Sequence, residues 1–356
     1  MVRGILVAKR LTWAIPGDIE TVSGGYAYDR RIIAELGRLG WEVELVSLGD
    51  GFPRPNAAQK ASAEALLMST ANDRPIVLDG LAFGALPEIA AALHRTRPVV
   101  ALVHHPLSLE TGLTPDVSAE LFSSERAALM ATRKVIVTSE WTAAVLADQF
   151  DVPTDRISVV LPGVDRPTAA IRCRGEALRL LSVGTIVPRK GFDILVEAVA
   201  QLANLPWHLK IAGDHSRHEA EAARLGSIIS RHNLSARVEV LGKVSPDHLQ
   251  ALYRDADLFV SATHFEGYGM AFAEAMASGL PIVGTTGGAI PWTVPSSAGR
   301  LVPPGNAAAL ADALSELIKD DGHRQKLAVG AQKEAAKLPS WSASGIRFSD
   351  LLATLT

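Results

Sequence analysis

Short runs of β-branched and aliphatic residues alternate along the chain with longer segments whose apolar positions recur at helical spacing. That alternation predicts βαβ units and parallel sheets. In the first half, the runs Ile5–Ala8, Val43–Ser47, Ile76–Asp79, Val99–His104, Val135–Thr138 and Ile157–Leu161 are read as strands. Ile32, Ile33, Leu36 and Leu39 mark one face of a helix from about Tyr26 to Gly40, where the glycine closes it. In the second half the strands are Arg179–Val183, His208–Ala212, Val238–Leu241, Asp257–Ser261 and Pro281–Gly284, with helices at about Phe192–Ala203, Glu219–Arg231 and Pro246–Arg254. A last helical stretch, Trp341–Leu355, carries Ile346, Leu351, Leu352 and Leu355 as its apolar positions.

The segment 165–176 follows neither period, is polar, and separates two complete α/β patterns. The pattern therefore predicts an α/β protein of two doubly wound, Rossmann-like domains. Residues 1–164 form the first, 165–176 a linker, 177–338 the second, and 339–356 a closing helix. Two such domains joined at 165–176 would face each other across a cleft at the carboxyl ends of their sheets, where open α/β sheets hold ligands.

Composition narrows the class. A chain of 356 residues is long enough for two full cores. A formal net charge of −3 gives no basic face for nucleic acid, so no nucleic-acid partner is expected. Residues 1–164 hold fifteen Lys and Arg against nineteen Asp and Glu, a net of −4, which speaks against a basic membrane-facing surface there. The single cysteine, Cys173, rules out an intramolecular disulfide or a cysteine metal cluster and fits a reducing compartment. The N-terminal apolar run is too short for a signal peptide, and no run approaches the ~18 residues that span a bilayer. These features predict a soluble cytoplasmic protein, with membrane contact at most peripheral.

Candidate chemistry collects on loops after strands. Glu266 and Glu274, with seven residues between them, flank a glycine loop and the start of a small-residue helix that ends near Gly279. Gly267 and Gly269 let backbone N–H groups approach an anionic or hydroxylated ligand. Glu274 lies in the apolar run Ala271–Ala277, where a carboxylate needs a polyhydroxyl ligand or a donor from its own chain, unless it lies on a wet face. Arg189 and Lys190 follow another strand on a loop bounded by Pro188 and Gly191. Two cations before a helix suit a phosphate, or a solvated turn. Gly24 and Gly25 precede the first helix, where amides could meet a phosphate or sugar or simply turn the chain, and no G-x-G-x-x-G fingerprint follows any strand. His104 and His105 end a buried-looking strand. No carboxylate stands at a supporting helical spacing, so a hydrogen-bonding role or plain burial is expected there and no metal. Asp255-Ala256-Asp257 resembles the D-x-D of metal-dependent sugar transfer but sits where a helix enters a strand, and is rejected as a metal site.

Taken in order, Gly24-Gly25, the His104 strand end, Thr138-Ser139-Glu140, Leu161-Pro162-Gly163-Val164-Asp165, Arg189-Lys190-Gly191, Ala212-Gly213-Asp214, Leu241-Gly242-Lys243-Val244 and Glu266-x7-Glu274 resemble glycosyltransferase family 4, retaining enzymes of the GT-B fold. The resemblance covers nearly the whole chain. It implies a glycosyltransferase that moves a sugar from a nucleotide-diphosphate donor, UDP- or GDP-linked, to a hydroxyl acceptor, with no metal and no separate cofactor. It implies that Glu274 holds the ribose hydroxyls, and that Glu266 with the amides of Gly267, Tyr268, Gly269 and Met270 holds the sugar and β-phosphate. Lys190 would neutralise the diphosphate as the sugar leaves. Gly24 and Gly25 would close over the donor, His104 would sit near sugar and acceptor, and Gly242, Lys243 and Val244 would border the base. The loop from His105 to Gly112 is a candidate part of the acceptor site.

Two positions depart from the family pattern. Thr185 stands in the phosphate loop where many members carry Arg, so Arg189 is the candidate to supply that charge; Pro162 stands where many carry Asn. The resemblance also implies that the last helix crosses back onto the first domain. Two rival readings keep the fold: a sugar-nucleotide epimerase or hydrolase, and a catalytically silent sugar-nucleotide-binding protein. A glycogen-type phosphorylase is set aside because no lysine context for pyridoxal phosphate is found.

Overall fold

The computed structural model describes residues 9–166 and 177–355. The predicted strand Ile5–Ala8, most of the predicted linker and Cys173 lie outside them. The chain forms two compact units, one from Met1–Gly163 with Pro339–Thr356, the other from Val164–Leu338.

In the first unit, β1 (Lys9–Ile15), β2 (Trp41–Ser47), β3 (Ile76–Asp79), β4 (Val99–Val103), β5 (Lys134–Val137) and β6 (Ile157–Val159) form one parallel sheet in the order β2-β1-β3-β4-β5-β6. The described first strand begins after the predicted run, at Lys9-Arg10-Leu11-Thr12-Trp13-Ala14-Ile15, whose last five residues are buried. Every residue of β4 is buried, as expected of a central strand covered on both faces. The order reverses between β1 and β3. That break opens a crevice at the carboxyl ends of these strands.

The second unit repeats the plan with β7 (Leu178–Val183), β8 (Trp207–Ala212), β9 (Val238–Gly242), β10 (Leu258–Val260), β11 (Ile282–Thr285) and β12 (Gly299–Val302), again all parallel, in the order β12-β11-β10-β7-β8-β9. Here the reversal lies between β7 and β10. Successive strand residues point to opposite faces. Leu180, Leu209, Leu258 and Val260 feed one core, while Leu181, Ala212, Phe259 and Ile282 feed the other.

The last helix, Trp341–Ala353, belongs to the first unit although the chain reaches it from the second. It lies along the first helix, Gly24–Arg38. Gly345 lets the two backbones approach, since a Cβ there would fall 2.4 Å from Glu35 Cβ. Phe348 is fully buried and stacks on Trp13 at 5.3 Å, and Trp41 Nε1 donates to Ser349 Oγ at 2.9 Å. Ser344 Oγ donates to the Leu161 carbonyl at 2.7 Å. Truncating Phe348 to Ala should destabilise the first unit by about 3–5 kcal/mol through the cavity it leaves. Urea unfolding of the full chain checks this, and an unchanged midpoint would show that the helix is dispensable.

Candidate active site

In the second unit, the loops after β7 and β10 meet at the point where the strand order reverses. Gly191, with φ of +62°, caps the helix Phe192–Ala200 and lies so near the Ala262 carbonyl that a Cβ would come within 2.3 Å of its oxygen. His264 N donates to the Arg189 carbonyl at 2.7 Å, and Thr263 Oγ1 donates within reach of the Arg189 and Phe265 carbonyls, both at 3.1 Å. These contacts fix the two loops to each other. Lys190 lies back over Gly184, where a Cβ would be 3.1 Å from Lys190 Cε.

That pairing brings Lys190 Nζ to 2.5 Å from Glu266 Oε1. Arg189 Nη1 is 3.4 Å from Glu266 Oε2 and donates to the Phe265 carbonyl at 2.7 Å. All three side chains are largely buried, at 16, 20 and 12 % exposure for Lys190, Arg189 and Glu266. Burial alone would raise the Glu266 carboxyl. The charges of Lys190 and Arg189 and the hydrogen bonds from Lys190 and Thr263 outweigh it and hold Glu266 below its usual value. Two cations around one ionised carboxylate form a group with net positive charge.

Beside it, Gly269 with φ of +89° starts the helix Met270–Ala277, so the helix N-terminus opens directly after Glu266, Gly267 and Tyr268. Thr293 Oγ1 donates to the Tyr268 carbonyl at 2.5 Å and pins the loop. Glu274, one turn on, is half-buried and accepts from Tyr253 Oη at 2.9 Å. Burial, then the Glu274 charge and hydrogen bond, push the Tyr253 hydroxyl well above its usual value, so it stays a donor. Glu274 therefore has a donor in its own chain, and does not lie on a solvated face.

The remaining candidates of this unit lie on nearby carboxyl-end loops. Thr185 follows Gly184 directly after β7. Gly242, with φ of +69°, ends β9 against the His215 ring; Lys243 is exposed, and Val244 packs on the sheet's second core. Asp257, rejected above as a ligand, is held by Arg179 through Nε at 3.0 Å and Nη2 at 2.9 Å, a structural clamp between β7 and β10.

The first unit holds a second cluster. His104 follows β4, and Nε2 lies 3.2 Å from Asp29 Oδ1 and 3.3 Å from Asp79 Oδ2. Asp29 comes from the first helix and Asp79 from the end of β3. Gly25 seals the ring's inner edge: a Cβ there would be 3.2 Å from His104 Cδ2. Gly24, its neighbour, is exposed, and Ser23 caps the helix through Tyr26 N at 3.3 Å. Burial disfavours the imidazolium, but the charges and hydrogen bonds of the two aspartates outweigh it and raise His104 well above its usual value. Burial likewise raises Asp29. Helical spacing gives His104 no carboxylate partner along the chain, whereas the fold imports both carboxylates from other elements. The three ligand atoms lie within 4.8 Å of one another, close enough for a cation as well.

Sequence reasoning missed Asp29, Asp79, Tyr253 and Glu125. Asp29 sits four residues after Gly25, and the buried positions of this helix also include Tyr28, Ile32, Glu35 and Leu36; a carboxylate next to that apolar set is the trace it leaves in the sequence. Glu125, on the helix Pro115–Met130, is fully buried and accepts from Leu107 N at 2.8 Å, beneath the loop that begins at His105. His105 itself lies 3.3 Å from Glu110 on that loop.

Residues 23–166 match the family model described as Glycosyltransferase Family 4, and residues 170–334 the one described as Glycosyl transferases group 1. A D-inositol 3-phosphate glycosyltransferase of Salinispora tropica is 30% identical over 281 residues, 70% of this chain and 58% of the relative. The one from Corynebacterium efficiens is 30% identical over 240 residues, 62% of this chain and 56% of the relative. The aligned region thus spans less than two thirds of either relative's length. Among solved structures, sucrose-phosphate synthase of Thermosynechococcus elongatus superposes with a TM-score of 0.81 over 98% of this chain and 99% of that one, at 19% identity. HepE of Anabaena, solved with UDP and glucose, gives 0.77 over 97% and 100%, also at 19% identity. The fold is thus the two-unit α/β architecture of GT-B proteins. The chain belongs to glycosyltransferase family 4.

Burial pushes the Glu125 carboxyl up to about 8, against a smaller lowering by the Leu107 amide. The folded state therefore keeps a proton that the unfolded chain gives up near its ordinary, lower value. The sign follows: stability is fullest below the unfolded pKa and falls as pH rises toward about 8. Glu125→Gln, which keeps the acceptor for Leu107, should flatten that loss. Its melting temperature should exceed the wild type's by a few degrees at pH 8 and match it near pH 4. Equal melting curves across that range would contradict the burial argument.

Proposed function

We propose that the protein transfers a sugar from a nucleotide-diphosphate donor to a hydroxyl acceptor with retention of anomeric configuration. The observation that carries this is the positive group of Lys190 and Arg189 around Glu266, set beside the N-terminus of the helix Met270–Ala277. A partly buried net positive charge next to a helix N-terminus favours a diphosphate. Glu274, oriented by the Tyr253 hydroxyl, would meet the ribose hydroxyls. Glu266 and the amides of Gly267, Tyr268, Gly269 and Met270 would hold the sugar and β-phosphate, with Thr185 on the facing loop and Gly242, Lys243 and Val244 bordering the base. A UDP donor is favoured by likeness to HepE, which is solved with UDP-glucose, and GDP is the alternative. The curated relatives are named for D-inositol 3-phosphate, which supports a small hydroxylated acceptor.

In this reading the bond between the anomeric carbon and the β-phosphate oxygen breaks as the acceptor oxygen bonds to the same face. The acceptor's proton passes to the departing phosphate oxygen. Lys190 and Arg189 stabilise the charge that grows there, a task for fixed protein charges that asks for no metal. His104 in the first unit would contact the sugar or acceptor, with Gly24 and Gly25 close by.

Full-length protein incubated with UDP- and GDP-sugars and polyol acceptors should release nucleoside diphosphate and form an α-linked product from an α-linked donor, by NMR, with EDTA present. Lys190→Ala should slow transfer about 10²–10³-fold, the scale for removing one donor from developing charge. Glu274→Gln, which can still accept from Tyr253, should weaken donor binding about tenfold or more. Undiminished turnover in either folded variant would overturn the site. Nucleotide release without product would favour a hydrolase, and donor binding without turnover a silent binder.

A further inference from the structure

Asp29 is the least explained charge in the described structure. It is fully buried, and its Oδ2 has no hydrogen-bond partner among the described residues. A buried carboxylate with an unpaired oxygen is costly, and packing alone does not account for it. Asp79, by contrast, has structural work, since its Oδ1 accepts from Leu81 N at 2.8 Å and caps a short helix. Both carboxylates reach the same atom, His104 Nε2.

The ring's orientation follows from what encloses it. Its Cδ2–Nε2 edge faces Gly25, Asp29 and Asp79, and Tyr28 meets it edge-on at 5.5 Å. The opposite side carries Nδ1, and the side chain remains 19 % exposed. We propose that Asp29 and Asp79 are positioning residues that turn His104 Nε2 inward, so that the ring meets sugar or acceptor through Nδ1 as a hydrogen-bond donor. This rests on the reading that the first unit takes part in sugar transfer.

The charge environment agrees. From the first helix, Asp29 and Tyr28 face the ring, and the charge of Arg30 acts on Asp29; from β3 comes Asp79; from the end of β5, Thr138 Oγ1 donates to the His104 carbonyl at 3.4 Å; and His105 and Glu110 lie on the next loop. Two carboxylates against one nitrogen favour the form with both ring nitrogens protonated. A histidine held in that form cannot take the acceptor's proton. It can fix an oxygen and leave the proton to the departing phosphate.

The test is ¹⁵N NMR of the histidine rings in the full-length protein from pH 5 to 10, with His104→Gln assigning the signal. Wild type should show both His104 nitrogens protonated through pH 8, and Asp29→Asn should lower the midpoint by about 1–3 pH units. A neutral His104 at pH 7 in wild type, or the same midpoint in Asp29→Asn, overturns the proposal. So does a His104 signal that moves to a metal-bound position on adding MgCl₂, MnCl₂ or ZnCl₂, which would make the cluster a cation site. Should Asp29→Asn not fold, the wild-type titration decides alone. The readout needs no turnover, so absence of sugar transfer would refute the proposed function without touching this measurement.

Discussion

An ion pair withdrawn from water survives only if its geometry is fixed, and Lys190–Glu266 depends on nearly everything in the second unit. The lysine comes from the loop after β7 and the glutamate from the loop after β10, 76 residues apart in sequence and 2.5 Å apart in space. They meet because β7 and β10 are neighbours, which is where the strand order reverses. The loops then lock through Gly191 against Ala262 and through Thr263 and His264 on the Arg189 carbonyl. Breaking one partner of such a pair leaves a buried charge, so the sheet order and the loop contacts are constraints on chemistry as much as on folding.

The first unit solves the opposite problem at the equivalent place. Its order reverses between β1 and β3, and there two carboxylates, Asp29 and Asp79, surround one imidazole. One unit gathers excess positive charge and the other excess negative charge. The positive group of the second unit suits an anion, and the carboxylate pair of the first suits a cationic ring.

Most of the sheet architecture was legible from the alternation of apolar runs, because parallel strands buried on both faces read as continuous β-branched segments. Ile76–Asp79 and Glu219–Arg231 are observed at the predicted bounds. Helices Ala57–Ser69, Pro115–Met130, Ala307–Lys319 and Asp321–Ala335 were not singled out, nor was the four-residue β12. Glu266, Lys190 and Glu274 stood out because glycines and a charge in an apolar helix leave a local trace. Their partners did not. Asp29 and His104 are 75 residues apart, and Tyr253 and Glu274 are 21 apart, so only the completed fold shows who meets whom. Arg189 shows the same limit: its nearness to Glu266 follows from loop docking, which no spacing rule encodes.

The proposed function requires that the Lys190–Arg189–Glu266 group bind a diphosphate. Calorimetric titration of the wild type with nucleoside, nucleoside monophosphate and nucleoside diphosphate, in uridine and guanosine series, addresses it most directly. In one series the second phosphate should tighten binding at least about tenfold, worth about 1.4 kcal/mol. Equal affinity for monophosphate and diphosphate in both series would contradict it.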